Sequence, residues 1–397
     1  MSKRCIIIGA GASYGYDSKL INSQKPPLGK DVLSRALERG ILVKEKFPCI
    51  LESLVDYCEK HQKDNVYFSD VDIEEFLESM ATKLESISST LNLSAPTATS
   101  TDIEKITAEI QKDFANSWKI IKSSYNDGAD LNRDLRKAAY FFQSALGESW
   151  FLMFDLFRDY SIAYRPAFDA YQRLALQHLK EDYDLISLNY DVLFELAANA
   201  SGIAVRYPDT NPDKLLLTNS RIISVAKVHG SVNWFNSYSR TITLGDTNET
   251  SYKLLNKVAG FIYSNRSQME PIRIVEPALL RQITMDNILQ SGREYYEPAL
   301  LPPIGGYKDY DKVRYFKLNW TEAERMIGLA DELVFIGTQV RKQDTMLREM
   351  LKNKAKAKVD ILTVGSKPTE RDLKEIMGDK VGTVSAFVDF EEFAKTL

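Results

Sequence analysis

His229, in the segment KVHGS, is one of only three histidines in the chain. Imidazole exchanges a proton near neutral pH, which makes this residue the candidate general base. Asn189, in SLNYD, both donates and accepts, and so suits the task of holding a water or a ribose hydroxyl in one orientation. The same amide could instead close an Asx turn at a strand end. Asp191, two residues on, reads equally as a site carboxylate or as a helix N-cap. A third element is RCIIIGAGAS, where an apolar run enters Gly9, Ala10, Gly11, Ala12 and Ser13. Glycines there let main chain and a pyrophosphate meet closely, so the turn is a candidate dinucleotide site. Hydride transfer is disfavoured. The third glycine of a dehydrogenase fingerprint is replaced by Tyr14, and the turn KPPLG stands where a second strand should deliver an acidic residue.

These residues need strands to carry them. Short apolar runs at 185–188, 222–228, 333–336, 359–364 and 384–388 alternate with turns and helical patterns, as βαβ units of a parallel sheet do. Ligands bind outside the carboxyl ends of such strands. The strand ends are Gly9, Asn189, His229, Gly337 with Thr338, and Gly365 with Ser366. Gly337, Thr338 and Gly365 therefore join the cofactor-binding set as backbone or hydroxyl donors. Tyr16 and Asp17, after the glycine turn, could reach a ribose. His61 and His178 fall on helical patterns and read as structural, while Arg341 and Lys342 read as surface charges.

Between 46 and 170 the periodicity is helical. Ile73, Phe76, Leu77, Met80, Leu84, Ile87 and Leu91 form one stripe behind Asp70 and Asp72 as candidate N-caps. Thr101 with Glu104 reads as a capping box ahead of a long helix through Ile121. After the turn NDGAD, an aromatic-rich helical stretch fills 131–164, with Pro166 placed as a first helical residue. The expectation is an α/β protein: a Rossmann-like parallel sheet built from 1–45 and 171–397, with a large helical insertion at 46–170. Residues 236–320, rich in proline and with Gly305–Gly306, read as loops and a small subdomain.

Composition narrows the classes. At 397 residues, a net charge of −4 and a pI near 5.7 argue against a nucleic-acid surface, and the basic run KNKAKAK at 352–358 reads as a solvated helix face. Three cysteines without C-x-x-C spacing build neither a disulfide framework nor a four-thiolate zinc site, so no metal is expected and the compartment reads as cytoplasmic. The opening MSKRCIIIGAGA has the charge pattern of a signal peptide, but its glycines break the apolar run and no cleavage site follows. No stretch approaches the ~20 apolar residues that cross a bilayer.

Taken together, GAGAS at 9–13, SLNYD at 187–191, VHGS at 228–231 and FIGTQV at 335–340 make the chain resemble the sirtuin family, and more closely its bacterial sirtuin-like NADase branch of anti-phage defence. The resemblance implies that the glycine turn holds the pyrophosphate of NAD+, that Asn189 orients a ribose or a water, and that His229 is the catalytic base. It further implies NAD+ as substrate, a homo-oligomer, and a HerA-type hexameric ATPase as partner of the helical insertion. The four-cysteine zinc ribbon of the protein-deacylating sirtuins is missing, and so is their G-I-P-D-F-R loop. An NAD+ glycohydrolase is the first reading; a dinucleotide-binding sensor or scaffold and a zinc-free deacylase are the alternatives.

Overall fold

Four successive apolar residues, Cys5 to Ile8, have no polar face to offer water, and the computed structural model places them at the centre of a sheet. The structure describes residues 3–14, 27–61, 68–91, 99–123, 131–163, 168–181, 183–208, 221–238, 273–284, 295–300, 314–342, 344–365 and 368–397. In chain order the strands are β1 (Arg4–Ile8), β2 (Tyr183–Ser187), β3 (Ile203–Arg206), β4 (Arg221–Lys227), β5 (Gly230–Tyr238), β6 (Arg273–Ile274), β7 (Tyr295–Leu300), β8 (Glu332–Ile336), β9 (Val359–Val364) and β10 (Val381–Phe387). The helices are α1 (Ala10–Tyr14), α2 (Val32–Glu38), α3 (Pro48–Lys60), α4 (Ile73–Leu91), α5 (Ser100–Asp113), α6 (Ala115–Ser123), α7 (Leu131–Ala163), α8 (Phe168–Gln177), α9 (Leu193–Ala200), α10 (Arg314–Leu329), α11 (Thr345–Lys354), α12 (Glu370–Met377) and α13 (Phe390–Thr396).

Seven strands form one parallel sheet in the order β10-β9-β8-β1-β2-β4-β3, an α/β Rossmann-like architecture. From β1 the chain builds outward to β2, β4 and β3 on one side and later to β8, β9 and β10 on the other. The loops leaving β1 and β8 therefore part at a topological switch point, where open α/β sheets form their crevice. In register, Ile6 lies between Leu185 and Val334, and Ile8 between Ser187 and Ile336.

Two apolar cores result. One wraps the sheet and takes Tyr171 and Leu174 from α8, Ala197 from α9, and Phe316, Ala323 and Ile327 from α10. The other is helical, built on Ile50, Phe76, Met80, Phe142, Phe151 and Phe154, and it extends to Val192, Val232, Phe235 and Leu300 from the sheet side. The helical stripe expected over 73–91 is buried at Ile73, Phe76, Leu77, Met80, Leu84 and Ile87. Asp72 caps it, its Oδ1 accepting from the Glu74 amide at 2.9 Å.

Two local expectations are corrected. The capping box sits two residues earlier than Thr101 and Glu104: Thr99 Oγ1 accepts from the Asp102 amide at 3.3 Å, and Asp102 Oδ2 accepts from the Thr99 amide at 2.9 Å. The helix that follows also does not run through to Ile121. It breaks at Phe114, because Asp56 of α3 accepts from the amides of Asn116 and Ser117 at 2.8 and 2.9 Å and so caps a new helix, α6.

Within 236–320, α10 and the antiparallel sheet β6-β5-β7 replace part of the expected loops. The buried residues Tyr315, Phe316, Asn319, Trp320, Ala323, Met326 and Ile327 do carry helical period. Pro298 lies in β7, opposite Phe235. Pro166, Pro271, Pro302, Pro303 and Gly305–Gly306 lie outside the described residues. Among the described residues no helix is long and apolar enough to cross a membrane.

Gly337 ends β8 with φ of +55°, and a Cβ there would stand 1.9 Å from the Ala12 amide nitrogen. A left-handed side chain and a backbone collision coincide at this point. Gly337→Ala is therefore expected to cost at least about 2 kcal/mol of stability, read by urea denaturation. A loss under about 0.5 kcal/mol would show that the crossing tolerates separation.

Candidate active site

The strand ends surround a cleft of about 590 Å³, within the usual range of small-ligand sites. Gly9, Ala10, Gly11, Ala12, Asn189, Asp191, His229, Gly337, Thr338 and Gly365 all line it. Asp17 and Tyr16 lie outside the described residues, as does Ser366. Ser13 turns away: it is fully buried, and its hydroxyl hydrogen-bonds the Tyr171 hydroxyl at 2.8 Å.

The glycine turn owes its composition to a backbone crossing. The Gly9 amide donates to the Ile336 carbonyl at 2.9 Å, and the Gly11 amide to the Gly337 carbonyl at 2.7 Å. A Cβ on either glycine would fall 2.6 Å from atoms of Thr338 or Gly337. The Ala12 amide closes onto the Gly9 carbonyl at 3.0 Å. Three of the turn's N–H groups are thus committed to protein carbonyls. What the turn presents to the cleft is a flat floor of small residues.

His229 is 5% exposed and stands between β4 and β5. Its Nδ1 lies 3.3 Å from the Leu188 carbonyl. A carbonyl only accepts, so Nδ1 is the donor in this contact. Nε2 is buried without a hydrogen-bond partner and lies 3.4 Å from Asp344 Oδ2. A proton gained at Nε2 would be held between ring and carboxylate. The Tyr190 and Trp320 rings flank the imidazole at 6.2 and 6.1 Å between centroids.

Asn189 is also buried, its amide N–H on Ser187 Oγ at 3.2 Å and its side-chain Oδ1 without a hydrogen-bond partner. Buried unsatisfied polar atoms are costly, and two of them facing one cleft mark a place for a ligand or water. Asp191 stands one residue before the N-cap of α9, Val192, and its Oδ1 accepts from the Leu193 amide at 3.1 Å. Burial pushes its carboxyl up to about 6, against the pull of Lys227. Behind both loops the fully buried Lys227 donates to the Asp191 carbonyl and to Glu195 Oε1.

Asp344, Glu74 and Arg341 belong to no motif that marks them as site residues. Asp344 stands at the start of α11, its Oδ1 accepting from the Leu347 amide at 3.3 Å. That N-cap pattern was the only local signal, and it says nothing about His229. Arg341, expected at the surface, lines the cleft and bridges Asp72 Oδ2 and Glu74 Oε2 at 2.9 and 3.0 Å, whereas Lys342 is exposed as expected. Burial pushes the Glu74 carboxyl up to about 7, with Arg341 pulling it back. Helices α4 and α7 complete the wall through Ile73, Met153 and Phe157. Val388, Asp389 and Phe390 form the rim beyond β10.

No protein-family model matches the chain, and no curated protein matches it. Solved structures similar to it include a Sir2 mutant with a p53 peptide and NAD, at 14% identity over 57% of this chain and 68% of that one, with a TM-score of 0.30. Sir2Tm bound to a propionylated peptide is similar at 13% identity over 62% of this chain and 77% of that one, also with a TM-score of 0.30.

Proposed function

We propose that the cleft binds NAD+ and hydrolyses its nicotinamide–ribose bond. The observation that carries this reading is the pairing of two buried, unsatisfied groups, His229 Nε2 and Asn189 Oδ1, beside a small-residue floor at the sheet's switch point. The sirtuin-like motifs GAGAS, SLNYD, VHGS and FIGTQV supply those same residues. In the reaction the C1′–N bond breaks and its electron pair leaves with neutral nicotinamide. Water then forms the new C1′–O bond, giving ADP-ribose and one proton. His229 accepts that proton at Nε2, Asp344 stabilises the imidazolium, and Asn189 orients the water or a ribose hydroxyl. Gly9 to Ala12, Gly337, Thr338 and Gly365 form the surface under the pyrophosphate and ribose.

An enzyme that depletes NAD+ must be held inactive until triggered. We infer a cytoplasmic role in anti-phage defence, with the helical part at 46–170 assembling the chain with copies of itself or with a HerA-type ATPase. The test is nicotinamide release from NAD+ by the purified chain, alone and with extract of phage-infected cells. Asn189→Ala is expected to lower release about 100-fold while leaving the thermal midpoint within a few degrees. NAD+ binding without release under every condition would overturn the reading in favour of a sensor or scaffold.

A further inference from the structure

Arg341 does more than sit in the cleft wall. Its guanidinium passes over Gly29, where a Cβ would come within 2.7 Å of Nη2 and 2.9 Å of Nη1, to reach Asp72 and Glu74 at the N-terminus of α4. Asp72 is itself committed on its other oxygen to capping α4. Toward the sheet, the Arg341 carbonyl accepts from the Asp344 amide at 3.2 Å, and Asp344 Oδ2 faces His229 Nε2 at 3.4 Å. The start of α4, the Arg341 side chain, the turn to Asp344 and the imidazole thus form one contiguous path.

We propose that Arg341 is a positioning residue that couples the seat of helix α4 to the Asp344–His229 pair. The guanidinium holds the turn against the helical wall, and the turn sets where the Asp344 carboxylate stands. A displacement of α4, from within the chain or by a bound protein, would then reach His229 without touching substrate. The inference rests on the NAD+-cleavage reading for its catalytic meaning, but not for its test.

The test reads the imidazole rings by 15N–1H correlation without NAD+. Three histidines give few signals, and His229→Gln assigns the one that matters. Arg341→Met is expected to move the His229 ring signals while those of His61 and His178 stay in place. Gly29→Ala is expected to move them in the same direction, since it displaces the guanidinium without changing any charge. Arg341→Lys should retain the wild-type positions. In an Asp344→Asn background the Arg341→Met change should add no further movement, because the path runs through Asp344. His229 signals that superpose on wild type in Gly29→Ala and Arg341→Met overturn the proposal, as does an undiminished movement in the Asp344→Asn background. If Arg341→Met fails to fold, Gly29→Ala decides alone. Failure of the NAD+-cleavage reading registers separately, as absent nicotinamide release with the ring movements intact.

Discussion

His229→Ala is expected to lower nicotinamide release from NAD+ by about 10²- to 10⁴-fold, the range that a positioned general base contributes. The expectation follows from the ring's surroundings. Nδ1 donates to the Leu188 carbonyl, which orients the ring, and Nε2 is buried without a hydrogen-bond partner beside the cleft. Asp344 Oδ2, at 3.4 Å, stands where it would stabilise the protonated ring. Alanine removes the imidazole and with it the contact to that carboxylate. NAD+ affinity should change only several-fold, since the floor from Gly9 to Ala12 and the Gly337–Thr338 loop is untouched. Release would be followed by chromatography beside a thermal melt. A variant that retains more than a tenth of wild-type release would place the proton acceptor elsewhere, and Glu74, whose carboxyl is pushed up to about 7, would be tested next.

Lys227→Met should bring the largest loss of stability, roughly 3–5 kcal/mol, as removal of one partner from a buried ion pair does. Lys227 is fully buried, and its Nζ lies 2.9 Å from Glu195 Oε1, itself 2% exposed. The Tyr207 hydroxyl also donates to Glu195 Oε1, at 3.1 Å, and the Asp191 carbonyl accepts from the ammonium. Methionine matches the aliphatic length but leaves Glu195 as an unpaired charge in the core. Adding Glu195→Gln should recover part of the loss, because a neutral amide is cheaper to bury. Urea denaturation of the single and double variants measures this directly. A single-variant loss below about 1 kcal/mol would mean that water reaches Glu195, against the burial seen in the structure.

The Lys227 network bears on the site because of where its ends lie. Lys227 is two residues before His229, and Asp191 is two residues after Asn189. One ammonium therefore ties together the loops that deliver the two candidate catalytic side chains. The Val232 amide, donating to the Tyr190 carbonyl at 2.9 Å, adds a second tie between the same loops.

The sheet was legible in the sequence because its information is local. A parallel strand buried on both faces must be a short apolar run, and CIII, LIS, LVFI and VDILTV are such runs. Glycine, asparagine and histidine at the ends of those runs could be located for the same reason, and the cleft gathers Gly9, Asn189, His229, Gly337 and Gly365 together. Edge strand β3, with only Ile203 buried, carried too little apolar signal to be seen. The split between α5 and α6 was illegible for another reason: Asp56 makes the cap from a different helix.

What tertiary structure alone decided is how the site is completed. Asp344 reaches His229 from 115 positions further along the chain, and Arg341 reaches Asp72 from 269 positions away. Neither pairing leaves a trace in spacing, because each depends on the register of β8 against β1 and on where the helical wall packs. The reason for the glycines at 9 and 11 also changed with the fold. Sequence pattern marks them as places where the backbone must be bare, and the structure shows that another stretch of backbone, Gly337–Thr338, is what first requires it. Local chemistry thus chose the residues that could act, and long-range packing chose which of them stand within reach of one another.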